Sequence, residues 1–347
     1  MMNKLLMYVM AVLCVLPADL LGAGSESQPS WEDSWTSPHD LALEEQAAVA
    51  LIPFPQKVEW LDGALDVQGK EPRLIGDVCD KVQIALDDYQ SNRVQGNGFF
   101  PVHCRMVADA LPEEHAAEGY ILSVGPEGAN ITAATPAGMF YGFQTLGQML
   151  LTGKGKLPYC RIEDWPAFRY RGYMQDCGRN FRDIDRLKKE LALAARLKVN
   201  LFHWHLTDYP AWHVECRCYP VLNAPRHRTR DNDCTYTYEQ IREVFSYAAQ
   251  RNIAIIPELD MPGHSAYFER AFGFKMNSEQ GMKIIGELLD EFCSEIPADI
   301  CPIVHFGADE VRIPNAAQFV DFVTKKLQAH GRTPMQWASN RDLPVGE

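Results

Sequence analysis

From about residue 170 the chain alternates short apolar runs with longer segments whose apolar residues recur at helical spacing. The runs predict strands at 170–177, 201–205, 253–257, 303–306 and 335–337. The intervening segments predict helices at 184–197, 238–251, 278–292 and 319–330. Strict alternation of strands and helices with right-handed crossovers implies a parallel sheet, either open or closed as a (β/α)8-type, TIM-like barrel.

Acidic residues cluster at the ends of the first four of these strands. They are Asp176, Asp208, Glu258, Asp260, Asp309 and Glu310. In a parallel barrel the carboxyl ends of the strands share one edge, which is the catalytic face. Charged residues are mostly exposed in folded proteins and are rarely needed for packing. Acids at the ends of four successive strands are therefore hard to explain by packing. The sequence therefore predicts a site of carboxylate chemistry at this edge.

The chain divides into four predicted parts. Residues 1–23 resemble a signal peptide, because Lys4 precedes an apolar run at 5–16 that is too short to span a bilayer. Residues 24–48 form a polar linker, 49–165 a small α/β domain and 166–347 the partial barrel. We therefore expect a secreted or periplasmic protein without a membrane span.

Composition limits the partners. The net charge of −13 argues against binding to nucleic acid or to an anionic membrane surface. Of the ten cysteines, Cys79 with Cys104, and Cys216 or Cys218 with Cys234, are open pairings in an oxidising compartment. The Cys216-Arg217-Cys218 spacing is not that of a zinc knuckle, so no metal is expected there.

Four motifs carry a family resemblance. They are the Arg-Tyr-Arg-Gly run at 169–172 with Asp176, the His-Trp-His-Leu-Thr-Asp run at 203–208, the Pro-Glu-Leu-Asp-Met-Pro-Gly-His run at 257–264, and the His-Phe-Gly-Ala-Asp-Glu-Val run at 305–311. Together they resemble family 20 of the glycoside hydrolases, the β-N-acetylhexosaminidases. The resemblance extends over residues 51–337 and includes the small domain, whose 138–148 and 157–166 segments look like the family's companion domain.

The resemblance implies a retaining exo-glycosidase without a cofactor or metal, in which the substrate's own acetamido group is the nucleophile. Glu310 matches the general acid, and Asp309 matches the carboxylate that orients the acetamide. Arg171 matches an arginine that binds sugar hydroxyls. Asp208 and His264 match a pair that supports the acid, and Trp337 matches an aromatic wall. The implied partner is an oligosaccharide or glycoconjugate that contains N-acetylhexosamine.

The sequence departs from the family in the number of strands. The family barrel has eight, and five are recognisable here, so the barrel is expected to be incomplete at its C-terminal end. The later strands would carry a tyrosine and further tryptophans around the acetamide, for which these residues have no counterpart. An open sheet edge promotes aggregation unless it is covered. Three explanations therefore stay open: the chain is a fragment of a longer product, it pairs with another chain, for example in a homo-oligomer that covers the edge, or it is a degenerate relative with weak activity.

Two other functions remain open. One is a relative that binds amino sugars without turnover, which the missing strands make plausible. The other is a metal-dependent hydrolase or deacetylase, because His203 and His205 alternate on one strand face and could bind a metal with Asp208 or His264.

Overall fold

The computed structural model describes residues 49–91, 96–310 and 312–338. The expected signal peptide at 1–23 and linker at 24–48 lie outside these ranges, as does Val311 of the last motif. Within them, no helix is both long enough and apolar enough to cross a bilayer. The nine cysteines in the described ranges are all free thiols.

The first sheet has six strands in the order β1-β6-β4-β5-β3-β2. The strands are β1 (Lys57–Asp66), β2 (Lys70–Gly76), β3 (Gly98–Met106), β4 (Tyr120–Gly125), β5 (Gly128–Ala133) and β6 (Lys156–Asp164). The helices of this part are α1 (Asp80–Gln90), α2 (Glu113–Ala116) and α3 (Pro136–Thr152). Strand β3 is parallel to β2 and β5, whereas the other neighbours are antiparallel.

Helix α3 joins the two parts of the molecule. Pro136 occupies its first turn, and the Thr135 hydroxyl accepts the Gly138 N–H at 3.0 Å, which satisfies one free donor of the helix start. Every residue from 138 to 150 is buried, because α3 contacts α1 and the first sheet on one side and the helix at 184–196 on the other. A helix that is apolar on all sides needs such packing on both faces.

The second sheet has five parallel strands in chain order. They are β7 (Gly172–Asp176), β8 (Leu201–Asp208), β10 (Ala254–Met261), β11 (Ile303–Gly307) and β12 (Thr333–Met335), and β9 (Ala211–Trp212) pairs antiparallel with β8. Its helices are α4 (Ile184–Arg196), α5 (Tyr238–Gln250), α6 (Ala266–Phe272), α7 (Glu279–Glu295) and α8 (Ala316–Ala329). Apart from the short β9, each strand neighbours the next along the chain, so the expected arrangement of a TIM-like barrel is confirmed over four βα units and a fifth strand within the described residues.

Three of the barrel helices begin with a side-chain cap. Asp183 accepts the Arg186 N–H before α4, Ser278 accepts the Gly281 N–H before α7, and Thr237 forms a capping box before α5. These caps satisfy backbone donors at the helix starts and end the loops that follow the strands. The loops that form the site are therefore fixed where they meet the helices.

The two faces of the barrel sheet differ in polarity. Phe202, Trp204 and Leu206 are buried on one face of β8, as apolar packing under helices requires. The alternate positions of the same strand are His203, His205 and Thr207, and they are also buried. The parallel register places His205 and His305 beside Glu258 of β10, so the interior face carries a buried polar network that leads toward the carboxyl edge.

Candidate active site

The Asp309-Glu310 pair follows β11 on a turn with unusual backbone angles. Gly307, Ala308 and Glu310 have φ values of 71°, 66° and 51°, a region that favours glycine. At Gly307 a Cβ would lie 1.9 Å from Asp260 Oδ1, so only glycine fits. The turn leaves the Glu310 side chain 76% exposed and Asp309 only 23% exposed. Strain of this kind is typical of functional sites, and here it directs two adjacent acids into one opening.

His264 lies between four carboxylates. Its Nδ1 is 2.7 Å from Asp260 Oδ2, 3.9 Å from Asp309 Oδ1 and 4.0 Å from Asp208 Oδ2, and its Nε2 is 3.4 Å from Glu310 Oε2. The hydrogen bond to Asp260, with the charges of the other acids, raises the pKa of His264 to about 9. The imidazole is therefore a cation at neutral pH, placed against the acid pair.

Asp208 and Asp260 are buried beneath His264. Burial raises the pKa of Asp260 to about 6, although the hydrogen bond from His264 opposes the shift. Burial also raises the pKa of Asp208, although the hydrogen bond that its Oδ1 accepts from the Tyr209 N–H opposes this shift. The Asp260 N–H donates to Thr207 Oγ1 at 2.8 Å, which holds β8 and β10 together at this point.

Arg179 is the arginine of this cluster. It follows β7 by three residues, and its Nη2 lies 2.9 Å from the fully buried Asp208 Oδ2, while Nη1 lies 3.1 Å from Asp176 Oδ2. Its side chain is 42% exposed, so part of the guanidinium faces the opening. Its rigid fork of donors suits vicinal hydroxyls or carboxylates. The sequence analysis did not identify Arg179. The available signal was its position just beyond the carboxyl end of a predicted strand.

The structure contradicts the predicted position of Arg171. This residue precedes β7 and therefore lies at the amino end of the barrel, opposite the acid cluster. Its guanidinium pairs with Glu118 and donates to the carbonyl oxygens of Lys198 and Phe168. Its polar partners are Glu118 and Tyr141 of the small domain and groups at the base of the barrel, so Arg171 is at the wrong end of the strand to contact a ligand at the carboxyl edge.

Trp337 lies beside a buried charged network. Its indole N–H donates to Glu258 Oε1 at 2.9 Å, and its ring stacks on His203 at 5.2 Å and packs against His305 at 4.7 Å. Glu258 also contacts His203 at 2.6 Å and His305 at 3.3 Å. Burial alone would raise the pKa of Glu258, but hydrogen bonds from the two histidines hold it well below its usual value. The network fixes the ring edge of the half-buried Trp337.

Several groups in the cluster have donor atoms close enough to bind a metal ion. They are Asp176 with His205 and Asp208, Asp208 with Asp260 and His264, His203 with Glu258 and His305, and His205 with Glu258 and Asp260. The first two groups already have cationic partners, because Arg179 contacts Asp176 and Asp208 and His264 is protonated at neutral pH. A divalent cation would have to displace these charges, so these two groups fit a metal-dependent hydrolase poorly.

Of the predicted site residues, the structure brings Asp309, Glu310, Asp208 and His264 into one cluster. Trp337 is adjacent to it, since its backbone N–H donates to the Gly307 carbonyl at 2.9 Å. Arg171 is not part of it. Asp260, one of the acids that the sequence places after a predicted strand, is the closest partner of His264.

Two family models match the chain. The model described as glycosyl hydrolase family 20, domain 2, matches residues 48–165, and that of the family 20 catalytic domain matches residues 168–273. The chain is 34% identical over 307 residues to a beta-hexosaminidase of Porphyromonas gingivalis and 32% identical over 246 residues to one of Vibrio furnissii. These alignments cover 76% and 65% of this chain but only 39% and 40% of the relatives.

Solved structures give the same result. A family 20 exo β-N-acetylglucosaminidase of Vibrio harveyi, in complex with N-acetylglucosamine, is 25% identical with a TM-score of 0.67, over 84% of this chain and 55% of that one. A mutant Streptomyces plicatus β-hexosaminidase has a TM-score of 0.71 at 24% identity, over 84% of this chain and 66% of that one, which supports the fold. With two matching domain models in the family's order, the chain belongs to glycoside hydrolase family 20.

Proposed function

We propose that the protein is an exo-glycosidase that releases terminal β-linked N-acetylhexosamine from glycans, a β-N-acetylhexosaminidase. The observation that carries the proposal is the position of His264, which contacts buried Asp208 and Asp260 on one ring nitrogen and exposed Glu310 on the other. Relatives that share this region are named beta-hexosaminidases, which supports the same activity here.

In the proposed reaction the carbonyl oxygen of the substrate's acetamido group attacks the anomeric carbon. The glycosidic bond breaks as Glu310 gives its proton to the leaving oxygen. Asp309 accepts the acetamide N–H and offsets the positive charge that develops in the oxazolinium ring. Glu310 then removes a proton from water, which attacks the anomeric carbon and reopens the ring. Two displacements give net retention, and adjacent acids in separate roles suit this chemistry.

The other residues prepare the two acids. Protonated His264 supplies positive charge 3.4 Å from Glu310, and Asp208 and Asp260 hold the imidazolium in place. We propose Arg179, in place of Arg171, as the side chain that donates to sugar hydroxyls, because part of its fork faces the opening. Trp337 would form one wall of the acetamido pocket, with the face of its ring that His203 and His305 leave uncovered.

The test is hydrolysis of chromogenic N-acetylglucosaminide and N-acetylgalactosaminide, with the plain glucoside as the control substrate. Glu310→Gln should lower kcat by about 10²- to 10⁴-fold. Asp309→Asn should lower kcat by about 10²-fold and reduce discrimination against the glucoside. A thiazoline mimic of the cyclised sugar should inhibit competitively. Hydrolysis of the glucoside at a similar rate, or failure of the thiazoline to bind, would refute the mechanism.

The same experiment separates the two alternatives. A sugar-binding protein without turnover would bind the thiazoline or N-acetylglucosamine in calorimetry and release no product, with Glu310→Gln unchanged in affinity. A metal-dependent hydrolase would lose kcat on treatment with a chelator. The glycosidase should keep its kcat under chelation.

We also propose that the protein is exported to the periplasm or secreted, on the basis of Lys4 and the apolar run at 5–16. Sequencing of the mature N-terminus after expression in a bacterium should find a start near Gly24, and a retained Met1 would contradict export.

We propose, in addition, that a second copy of the chain covers the edge of β12, which pairs only with β11 among the described residues. Light scattering should then give the mass of a dimer or larger assembly, and a monomer mass would contradict this.

A further inference from the structure

We propose that Cys216, Cys218 and Glu291 form a binding site for a thiophilic divalent cation, with Zn²⁺ the best fit. The two Sγ atoms lie 3.9 Å apart, and one donor atom from each of the three residues lies within 4.8 Å of the other two. Spacing along the chain did not reveal this site, because the third donor comes from α7, 73 residues after Cys218. The site is independent of the proposed glycosidase reaction.

The separation of the sulfur atoms matches zinc better than a disulfide. Two thiolates at about 2.3 Å from a tetrahedral zinc ion are about 3.8 Å apart. A disulfide requires a sulfur–sulfur distance of about 2.05 Å, so the pair would have to close by almost half. The observed 3.9 Å therefore needs little adjustment for a metal ion to bridge the two thiols.

The loop that carries the cysteines is held in place on both sides. Asn223 Oδ1 accepts the Cys216 N–H at 2.8 Å, and its amide donates to the Val214 carbonyl at 2.9 Å. Glu291 accepts the N–H groups of Arg217 at 2.8 Å and Cys218 at 2.6 Å, and the Tyr238 hydroxyl at 3.0 Å. A carboxylate has about four acceptor positions, so Glu291 can bind a cation while it keeps these bonds. Little conformational freedom would be lost on binding.

The surroundings favour a cation. Four glutamates lie around the loop, namely Glu215, Glu287, Glu291 and Glu295, against two arginines, Arg217 and Arg242. Arg217 pairs with Glu215 and Glu295, so its charge is directed away from the thiols. The surplus of carboxylates lowers the electrostatic cost of bringing a divalent ion to this position.

Binding would displace two thiol protons to solvent, because the thiolate is the metal ligand. Burial raises the pKa of Cys216 to about 11, and burial with the nearby Glu291 also raises the pKa of Cys218. Cys218 is exposed, which gives the ion access, and water can fill the fourth position.

The test uses the full chain, purified with a reductant that does not bind metal. Titration with Zn²⁺ in a calorimeter should show one equivalent per chain, and Co²⁺ should give the visible absorption of a tetrahedral thiolate complex. Cys218→Ser should weaken Zn²⁺ binding by about 100-fold or more, and Glu291→Gln by about 10-fold or more. The matched control is Cys79→Ser, a partly exposed cysteine at the start of α1, which should bind as wild type does.

Three results would overturn the proposal. The first is binding of Zn²⁺ that survives Cys218→Ser with unchanged affinity. The second is octahedral Co²⁺ absorption without a thiolate band. The third is a Cys216–Cys218 disulfide, found by peptide mapping of protein prepared without reductant, together with no Zn²⁺ binding after reduction. The fold of each variant is checked by its thermal unfolding in the absence of metal.

Discussion

His264 shows how a single residue sets the charge of the site. It reaches its position through a left-handed backbone angle, φ 44°, directly after the turn that ends β10. Its side chain is only 21% exposed and contacts acids on both ring nitrogens. An imidazole in such surroundings binds its proton more tightly in the folded protein than in the unfolded chain. The local stability therefore depends on pH.

The first prediction concerns this pH dependence. The pKa of His264 is about 9 in the folded protein, against about 6.5 in the unfolded chain. Its ion pairs therefore stabilise the fold fully below pH 6.5, and this stabilisation is lost as the pH rises through about 9. Denaturant unfolding of wild type and His264→Gln should show a stability gap that is about 2 kcal/mol larger at pH 7 than at pH 10. A gap that is constant with pH would mean that His264 is neutral.

The second prediction compares the two arginines. Arg179→Gln should lower kcat/KM for the N-acetylglucosaminide by about 100-fold or more, because it removes donors at the opening and leaves buried Asp208 without its cation. Arg171→Gln is the matched control at the opposite end of β7. It should lower the melting temperature and leave kcat/KM of the folded enzyme within about 3-fold. If the two variants exchanged these effects, the assignment of Arg179 would be wrong.

At the scale of elements, the end of β10 and the segment after β12 form one unit. Glu258 on β10 accepts the Trp337 indole N–H, and the Trp337 backbone donates to Gly307 at the end of β11. The tryptophan is therefore fixed by two neighbouring strands and does not depend on its own short strand alone. The buried carboxylate accepts the indole N–H and lies close to Nε2 of His203 and Nδ1 of His305, so its environment depends on all three side chains.

The third prediction tests this unit. Glu258→Gln should lower the free energy of unfolding by about 2–4 kcal/mol, because the neutral amide loses charge-assisted bonds to His203 and His305. It should also shift the fluorescence emission of Trp337. That emission is obtained by subtracting the spectrum of a Trp337→Phe variant, once from wild type and once from Glu258→Gln, with the subtracted variant in the same background. The matched variant Trp337→Phe keeps an aromatic ring but removes the indole N–H that Glu258 accepts, and should cost about 1–3 kcal/mol. Unchanged Trp337 emission in Glu258→Gln would contradict a positioning role for the carboxylate.

The helices of the barrel were predictable because their apolar stripes are strong. The prediction of 184–197 compares with the observed Ile184–Arg196, and 238–251 with Tyr238–Gln250. The first sheet was predictable only in part. Strand β1 is exposed at most positions, so it lacks a clear alternating pattern, and Pro101 stands in β3 between two other strands, where sequence rules argue against a strand.

The acids of the site were predictable from their place after the strands, whereas their partners were not. The contact of Arg179 with Asp208 depends on how the loop after β7 folds over the end of β8. The contact of Trp337 with Glu258 joins residues 79 apart in the chain. Arg171 was chosen for its motif, and its place before β7 was the evidence against it. Direction along the strand was thus more informative than the motif.

At the scale of the whole molecule, polar side chains connect the two sheets. Lys198 Nζ lies 2.7 Å from Asp164 Oδ2 and 2.9 Å from the Tyr120 hydroxyl, and all three are buried. Arg251 of the α5 C-terminus forms two hydrogen bonds with Asp88 of α1. With Arg171 and Glu118, these contacts join the small sheet to the amino end of the barrel. The small domain therefore supports the base of the barrel and leaves its carboxyl edge open.

The fourth prediction concerns Lys198, whose side chain is only 7% exposed. Its backbone has φ 59° just after α4, a left-handed angle that costs conformational energy for any residue with a Cβ. Replacement by methionine leaves this cost unchanged. Lys198→Met should lower the free energy of unfolding by about 3–5 kcal/mol, because Asp164 loses its buried cation. Adding Asp164→Asn should recover part of this loss, since the amide oxygen still accepts the Gln56 N–H and no buried charge remains.

Calorimetry and denaturant unfolding measure both effects, and hydrolysis rates at low temperature serve as the control. Lys198 lies at the amino end of the barrel, between α4 and β8, so the rate per folded molecule should stay at the wild-type level in both variants. A loss of activity in proportion to the unfolded fraction fits a purely structural connection between the sheets. If Lys198→Met changed stability by less than about 1 kcal/mol, the ion pair would be replaceable by apolar packing, as some buried pairs are. The small domain would then be held mainly by α3, whose apolar residues contact both parts.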